Sequence, residues 1–365
     1  MGKIGQIDRN FAVQSAVETN HLKFYSVRNE PFRLYGLLTE SVQSPFCRIP
    51  GPVAQRVSPG VYGLHGNTAG GRLRFRTNST KVAIRAKMPG KCLMPHMTFV
   101  GSSGFDLYVT DRGIYTYKGS FIPEVDRKGE FTSFLDLENR EQKDIVIHFP
   151  LYDDVEDLWI GLEMDASLSE GLPYAQELPV IFYGSSITQG GCASRPGNAY
   201  TNLITRRLNL DHRNLGFSGC ARGEPEMAEY IARQPMCLFF MDYDHNSPLE
   251  ELREKHEAFY LTVREKNPEL PILMASRTMI PRTKQMERDR DARRSVILNT
   301  YLNARNRGDQ FVGFVDGLGV YRQAEKLGVS ADSCTVDGIH PNDLGFGCMA
   351  DAFSKEIAQM LNIRI

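Results

Sequence analysis

The stretch Val180–Gly191, VIFYGSSITQGG, decides the fold of this chain. Its first half is an unbroken apolar run, and its second half is a turn of glycine and hydroxyl residues. A strand that is apolar at every position is covered on both faces, as in a parallel sheet. Glycine and serine end strands in many proteins, so the turn alone does not distinguish an ordinary loop from a loop that presents a nucleophilic serine.

Further apolar runs of the same kind follow downstream, and helical stretches lie between them. The runs are MCLFFMD, PILMAS and FVGFVD, and the helical stretches include SPLEELREKHEAFYLTVREKN and FGCMADAFSKEIAQML. Alternating strands and helices are typical of a sheet covered by helices on both faces. We therefore predict a three-layer αβα domain with a parallel sheet over residues 171–365.

The chain upstream has a different pattern. Short runs such as GRLRFRTN, KVAIRAKM and FDLYVTD alternate apolar and polar residues and are bounded by Gly, Pro, Asn or Asp. Alternation with a period of two indicates antiparallel strands with one face in water. Residues 1–170 are therefore predicted to form an all-β domain, either a sandwich or a jelly roll.

Composition excludes several classes of function. The 365 residues carry a formal net charge of −1, which gives no electrostatic footprint for nucleic acid or an anionic membrane. No apolar run approaches the roughly 20 residues that span a bilayer. The amino terminus lacks the apolar core of a signal peptide and the seven scattered cysteines form no CxxC, so we expect a cytoplasmic protein with reduced thiols and leave homo-oligomer formation open.

Three segments that contain candidate catalytic residues are expected at one edge of the parallel sheet. GSSIT follows the first strand, DYDHN (Asp242–Asn246) follows another, and DGIHP (Asp337–Pro341) precedes the last helix. In open α/β sheets, ligands bind beyond the carboxyl ends of the strands. A serine nucleophile needs a base, and the base needs a group that fixes its tautomer. Ser186 is the candidate nucleophile, His340 the base and Asp337 the orienting carboxylate.

An acyl-transfer site also needs donors for the oxyanion of the transition state. NLGFSGCARG ends another predicted strand in small residues, where a backbone N–H can approach a substrate closely. Gly219 is the expected donor there. The amide of Asn246 and the N–H of Ser186 itself are the other two.

Taken in order, these four segments resemble the conserved blocks of the SGNH, or GDSL-like, hydrolases over roughly residues 178–361. GSSIT is similar to GDSxT, NLGFSG to the second block, DYDHN to DxGxN and DGIHP to DxxHP. The resemblance implies a flavodoxin-like αβα fold, the same serine, histidine and aspartate, and no metal or organic cofactor. Two positions depart from the blocks, since Ser185 stands where the family has Asp and Asp244 where it usually has Gly.

Upstream, GFDLY (Gly104–Tyr108) looks like the GxDLY signature of a β-rich domain that precedes one SGNH subgroup. This resemblance implies a two-domain esterase, and related pairs of domains include carbohydrate O-deacetylases. The expected substrate is a small-molecule or oligosaccharide ester with a short acyl group, acetyl above all. Two alternatives stay open: a lysophospholipase or short-chain lipid esterase, and a carbohydrate-binding protein that has lost catalysis. Within GFDLY itself, the Asp and Tyr are interpreted as scaffold.

Other candidate residues are weaker. Neither GSSIT nor GFSGC satisfies GxSxG, which disfavours the α/β-hydrolase fold. Cys192 is near Ser186 in sequence but has no charged neighbour closer than Arg195, so an inert thiol is expected. The histidines show no HxH or HxxxH spacing, and we predict no metal site. Three further residues are candidates for the substrate pocket: Asp244, His245 and Arg277.

Overall fold

The computed structural model describes residue 7 and residues 20–38, 44–125 and 129–364. Up to about residue 170, every strand pairing in these residues is antiparallel. From residue 180 onward, every strand pairing is parallel. The predicted change of architecture along the chain is therefore confirmed.

In the antiparallel part, the described residues between 20 and 170 form ten strands and three short helices. A four-stranded sheet has the order β1-β9-β4-β7, and a second sheet has the order β10-β3-β8-β5-β6, with β2 also paired to β3. Apolar side chains of both sheets form one shared core. The bounds are β1 Leu22–Ser26, β2 Arg33–Tyr35, α1 Gly51–Val57, α2 Pro59–Leu64, β3 Arg72–Thr77, β4 Lys81–Met88, α3 Phe99–Ser103, β5 Phe105–Asp111, β6 Ile114–Phe121, β7 Gly129–Asp136, β8 Lys143–His148, β9 Asp157–Glu163 and β10 Leu168–Glu170.

The parallel part is a five-stranded sheet of order β12-β11-β13-β14-β15. Helices connect its strands, and three-residue to seven-residue 3₁₀ segments lie before the last helix. The bounds are β11 Val180–Gly184, α4 Ser186–Gln189, α5 Tyr200–Leu208, β12 His212–Gly216, α6 Pro225–Ala232, β13 Leu238–Asp242, α7 Leu249–Lys266, β14 Ile272–Ala275, α8 Lys284–Asn306, β15 Val312–Val315 and α9 Asp343–Met360.

The unbroken apolar sequence of β11 follows from its position inside this sheet. Val180 and Phe182 pack into the core on one face, whereas Ile181 and Tyr183 pack into the core on the other. Because helices cover both faces, the strand has no side that contacts water. β11 pairs with β12 on one side and β13 on the other, which places the turn after it between the carboxyl ends of these two strands.

Buried polar contacts join the two parts of the chain. The fully buried Arg48 donates to the carbonyl oxygens of Asn214 and Gly216, at the end of β12. Its guanidinium also lies 4.5 Å from the ring centroid of Phe217, and burial lowers its pKa to about 9. The antiparallel part therefore holds the segment that leads into Ser218 and Gly219.

The αβα class and the preceding antiparallel domain agree with prediction, while the boundary at residue 170 stays a prediction. In the part of the chain that the structure describes, no helix combines the length and apolarity needed to cross a membrane. All seven cysteines lie within the described residues, and none of them forms a disulfide.

Candidate active site

The segments predicted to carry chemistry meet at the carboxyl edge of the parallel sheet. Ser186 begins α4 directly after β11, Gly219 follows β12 and Asn246 follows β13. His340 comes from the loop before α9. Together with neighbouring residues they line one cavity of about 340 Å³.

Ser186, His340 and Asp337 form a hydrogen-bonded chain. The Oγ of Ser186 lies 2.9 Å from Nε2 of His340, and Nδ1 of His340 lies 2.7 Å from Oδ2 of Asp337. If Nδ1 carries the proton, it donates to the carboxylate, and the Nε2 lone pair faces the serine hydroxyl. This tautomer is the one that a general base needs.

The Asp337 carboxylate is held by its own loop. Burial raises the pKa of this carboxyl, but hydrogen bonds from the His340 side chain and from the N–H groups of His340 and Ile339 outweigh burial and lower the pKa to about 2. The two N–H groups donate to Oδ1 at 2.7 and 2.9 Å. The carboxylate therefore stays charged and keeps the imidazole oriented.

The turn that presents Ser186 depends on its neighbours. Ser185 is the N-cap of α4, since its Oγ accepts from the N–H of Ile187 at 3.2 Å. A Cβ on Gly184 would collide with Thr188 Oγ1 and with the carbonyl oxygen of Asp242, so only glycine fits there. Ser185 thus supplies a capping oxygen at the position where the family block has Asp.

Gly219 and Asn246, the predicted oxyanion donors, both line the cavity with Ser186. Gly219 has φ +71°, and open space lies where its Cβ would point. The Nδ2 of Asn246 donates to the carbonyl oxygen of Phe217 at 3.2 Å. An amide nitrogen carries two hydrogens, so this bond fixes the side chain and leaves one donor available.

Of the three residues predicted to line the substrate pocket, two do so. His245 and Arg277 line the cavity, together with Met279 and Ile339. The third, Asp244, is 1% exposed and does not line this cavity, and its role in the substrate pocket stays a prediction. Its carboxylate instead accepts from the backbone N–H of Arg277 at 3.1 Å and lies 3.8 Å from the Arg277 Nε.

The guanidinium of Arg277 lies in the wall of the cavity, and the nearby residues Asp289 and Asp244 balance its charge. Its Nη1 donates to Asp289 at 3.1 Å, and its Nη2 donates to the carbonyl oxygen of Asp244 at 2.9 Å. Burial lowers the pKa of Arg277, and Asp244 opposes that effect. Burial also lowers the pKa of His245 well below its usual range, and the charges of Arg277 and His340 add to this. His245 is therefore neutral in the wall of the cavity.

The antiparallel domain supplies residues that the sequence analysis missed. The hydroxyl of Tyr152 donates to the carbonyl oxygen of Ser186 at 3.2 Å. Gln189, at the end of α4, donates to Asn67 and to the carbonyl oxygen of Leu151, both at 3.1 Å. No local sequence pattern marks these residues, because their partners are separated from them by 34 to 122 positions.

Within the described ranges, two sets of side chains bring three metal-ligating atoms within 4.8 Å of one another. One set is His96, Cys192 and His340, and the other is Asp242, Asp244 and His245. Spacing along the sequence could not reveal the first set, because its members come from three distant loops. Burial, and then the charge of Asp337, raise the pKa of Cys192 to about 12, so it is a neutral thiol rather than a nucleophilic thiolate.

Two family models match this chain along most of its length. The model of the GDSL-like lipase/acylhydrolase family matches residues 177–358. A second model, the N-terminal GxDLY domain of SGNH-hydrolase-type esterases, matches residues 22–168. No curated protein matches this chain significantly.

Several solved structures share the fold over nearly the whole chain. A GDSL-like lipase structure from Bacteroides ovatus is 28% identical, with a TM-score of 0.83, covering 94% of this chain and 99% of its own. A salicylyl-acyltransferase from a tetracycline biosynthetic pathway is 21% identical, with a TM-score of 0.76 and coverage of 95% and 100%. An acetyl xylan esterase from Butyrivibrio proteoclasticus is 13% identical, with a TM-score of 0.58 and coverage of 93% and 99%.

Proposed function

We propose that this chain, an esterase that belongs to the GDSL-like lipase/acylhydrolase family and carries an N-terminal GxDLY domain, removes short acyl groups, above all acetyl, from carbohydrates. The observation that carries the proposal is the chain of hydrogen bonds from Ser186 through His340 to Asp337, which opens into a cavity containing Gly219 and Asn246.

The mechanism has two acyl-transfer steps. Ser186 Oγ attacks the ester carbonyl while His340 Nε2 takes the hydroxyl proton, and Asp337 stabilises the imidazolium. The oxyanion is held by the N–H groups of Ser186 and Gly219 and by the amide of Asn246. His340 then protonates the leaving sugar oxygen, so the C–O bond breaks and an acyl-serine remains. Water, deprotonated by His340, attacks the acyl-serine and releases the acid.

The cavity favours a short acyl group. Its volume is about 340 Å³, near the lower end of typical ligand pockets. This space must hold the ester carbonyl together with the groups attached to it. Its lining combines the apolar side chains of Met279 and Ile339 with polar side chains that include Arg277, His245 and Asn246. A long alkyl chain would have to leave this space, whereas the polar side chains in the wall can contact the hydroxyl groups of a sugar.

Labelling with a fluorophosphonate probe tests the nucleophile. We expect stoichiometric labelling of the wild type and none of Ser186→Ala. Ser185→Ala is the matched control, because it alters the neighbouring serine without removing the proposed nucleophile and should still be labelled. Folded wild-type protein that takes no label would favour the binding protein without catalysis.

A chain-length series tests the substrate class. We expect hydrolysis of p-nitrophenyl acetate to exceed that of the butyrate and the octanoate, and acetate to be released from acetylated xylo-oligosaccharides. Activity that rises from acetate to octanoate would contradict the carbohydrate proposal and favour the lipid esterase.

A further inference from the structure

A cluster of metal-ligating side chains includes the proposed catalytic histidine, which lines the substrate cavity, and two residues that do not line it, His96 and Cys192. One ligand atom each from His96, Cys192 and His340 lie within 4.8 Å of one another. His96 comes from the antiparallel domain just before α3, Cys192 from the turn after α4, and His340 from the loop before α9. We call these three residues the His–Cys–His cluster.

The donor set of the cluster matches the preference of zinc. Two imidazoles and one thiolate are ligands that Zn²⁺ binds at about 2.0–2.3 Å, and three protein ligands with a fourth position for water are typical of open zinc sites. The imidazole rings of His96 and His340 have their centroids 5.7 Å apart. His96 is exposed, so its side chain can rotate to close the remaining distance and the fourth position can face water.

His340 is already oriented for a metal. Its Nδ1 is engaged by Asp337 at 2.7 Å, which leaves Nε2 as the coordinating nitrogen. Histidines that bind metals commonly donate their other ring N–H to a carboxylate, which fixes the ring and makes it a better ligand. The Nε2 lone pair now faces Ser186 Oγ at 2.9 Å, so a metal ion and the serine hydroxyl would compete for the same lone pair.

Cys192 is held in place by an unusual backbone conformation. Its φ is +78°, in the left-handed region that favours glycine. A non-glycine residue there is strained and persists where the surrounding structure over-determines it. Cys192 is 7% exposed and lies three residues after the end of α4, so its sulfur is held next to the imidazole.

We propose that the His–Cys–His cluster binds Zn²⁺ and that the bound ion reversibly inhibits the esterase. Binding forms a Zn–S bond and two Zn–N bonds, and the thiol proton of Cys192 is released to water. The ion occupies Nε2 of His340, so Ser186 loses the base that accepts its proton. The binding site stands by itself, while the inhibition rests on the proposed function.

Cobalt binding tests the site without any reliance on turnover. Added Co²⁺ should give thiolate-to-cobalt charge-transfer absorption in the wild type, and this absorption should disappear in Cys192→Ser and His340→Ala and weaken in His96→Ala. Two control variants should bind like the wild type: His21→Ala, which changes an exposed histidine outside the cluster, and Cys237→Ser, which changes another free cysteine. Absence of the absorption in the wild type, or its persistence in Cys192→Ser, would overturn the site.

Inhibition is measured with Zn²⁺ in the p-nitrophenyl acetate assay and reversed with a chelator. Loss of an outer-shell partner of a metal ligand weakens metal affinity by about 10–100-fold, and loss of a ligand itself should cost at least as much, so we expect the inhibition constant to rise by at least about 10-fold in His96→Ala and Cys192→Ser. Without metal, both variants should hydrolyse the ester within about two-fold of the wild-type rate. An active enzyme that Zn²⁺ does not inhibit would refute the proposal and leave the esterase function intact. Cobalt binding by a protein without esterase activity would instead refute the function and leave the site.

Discussion

At the residue scale, Asn246 shows how one side chain can be both fixed and available. One hydrogen of its amide is bound to the carbonyl oxygen of Phe217 at 3.2 Å, and the residue lines the cavity with Ser186. A donor that is already oriented needs no reorganisation when charge develops on the substrate oxygen, which is why such donors are effective in catalysis.

We therefore expect Asn246→Ala to lower kcat by about 10²–10³-fold, the usual loss for one oxyanion donor. Ester hydrolysis and thermal unfolding should be measured together, because the variant should remain folded. Asn303→Ala is a suitable control, since that side chain pairs with Glu257 on the surface and should leave kcat unchanged. Full activity in Asn246→Ala would remove Asn246 from the oxyanion site.

Asp242 is a buried carboxyl beneath the active-site edge. Burial, and then the charge of Asp244, raise its pKa to about 7, against hydrogen bonds from Tyr200 and Thr188. In the unfolded chain the pKa is near the ordinary value of about 3.9. Because the folded-state pKa is raised, the stabilising contribution is complete below about pH 4 and is lost as the pH rises towards 7.

Because the pKa of Asp242 is higher in the folded state than in the unfolded chain, the wild type should lose on the order of 2 kcal/mol of unfolding free energy between pH 5 and pH 8, relative to Asp242→Asn. The asparagine keeps an oxygen that accepts from Tyr200 and Thr188 but does not titrate. Urea unfolding at the two pH values gives the comparison. Equal pH dependence in the two proteins would mean that Asp242 does not titrate in this range.

At the scale of elements, the short helix α4 contacts both the antiparallel domain and the loop that follows β12. Gln189 at its end is fully buried, and its Nε2 donates to Asn67 and Leu151 of the antiparallel domain. Its Oε1 accepts from the N–H of Ser218 at 3.0 Å, one residue before Gly219. Gln189 thus ties the helix that carries the nucleophile to the loop that carries an oxyanion donor.

Gln189→Ala should lower activity by displacing catalytic groups, because the Gln189 side chain is not among those that line the cavity. Displacement of a catalytic group by about 1 Å can lower a rate about 10²-fold, so we expect kcat to fall by 10–100-fold with a much smaller change in KM. Gln359→Ala, an exposed glutamine on α9, is the control. A variant that is merely less stable, with an unchanged kcat at low temperature, would show that Gln189 serves stability alone.

At the scale of the whole molecule, the DLY segment of β5 joins the two domains. Asp106 is fully buried; it lies 2.8 Å from Nδ1 of His148 on β8 and accepts from the N–H of Gly197 at 2.8 Å. Arg195 lies 3.6 Å from the same carboxylate and 3.2 Å from the hydroxyl of Tyr108. These contacts support the interpretation of Asp106 and Tyr108 as scaffold, since they hold the segment that follows Cys192.

Asp106→Ala would leave buried groups on His148 and Gly197 without a partner, and it should lower the unfolding free energy by about 3 kcal/mol. Asp111→Ala at the exposed end of the same strand is the matched control and should change it by less than about 0.5 kcal/mol. Urea unfolding of both variants measures the difference. A small loss in Asp106→Ala would show that water replaces the carboxylate and that the domains do not depend on it.

The residues that could be predicted are those whose partners lie nearby in sequence or at the ends of neighbouring strands. Asp337 and His340 are three positions apart, and Ser186, Gly219 and Asn246 each follow a strand of one parallel sheet. The orientation of Asp244 could not be predicted, because its position in the sequence does not show which way the side chain points. It lies behind Arg277, where its carboxylate accepts from the backbone N–H of that residue.

The sequence by itself determined the two architectures and the edge of the sheet where the chemistry gathers, because hydrophobic periodicity and strand-end residues are local properties of the chain. Only the tertiary structure decided what surrounds that edge. Tyr152 and Asn67 reach α4 from the antiparallel domain, and His96 reaches His340 across 244 positions of sequence. Such contacts arise from the packing of one domain against the other, and no local pattern encodes them. For Ser185, the sequence showed that the residue departs from the family block, and the structure showed that its side chain caps α4.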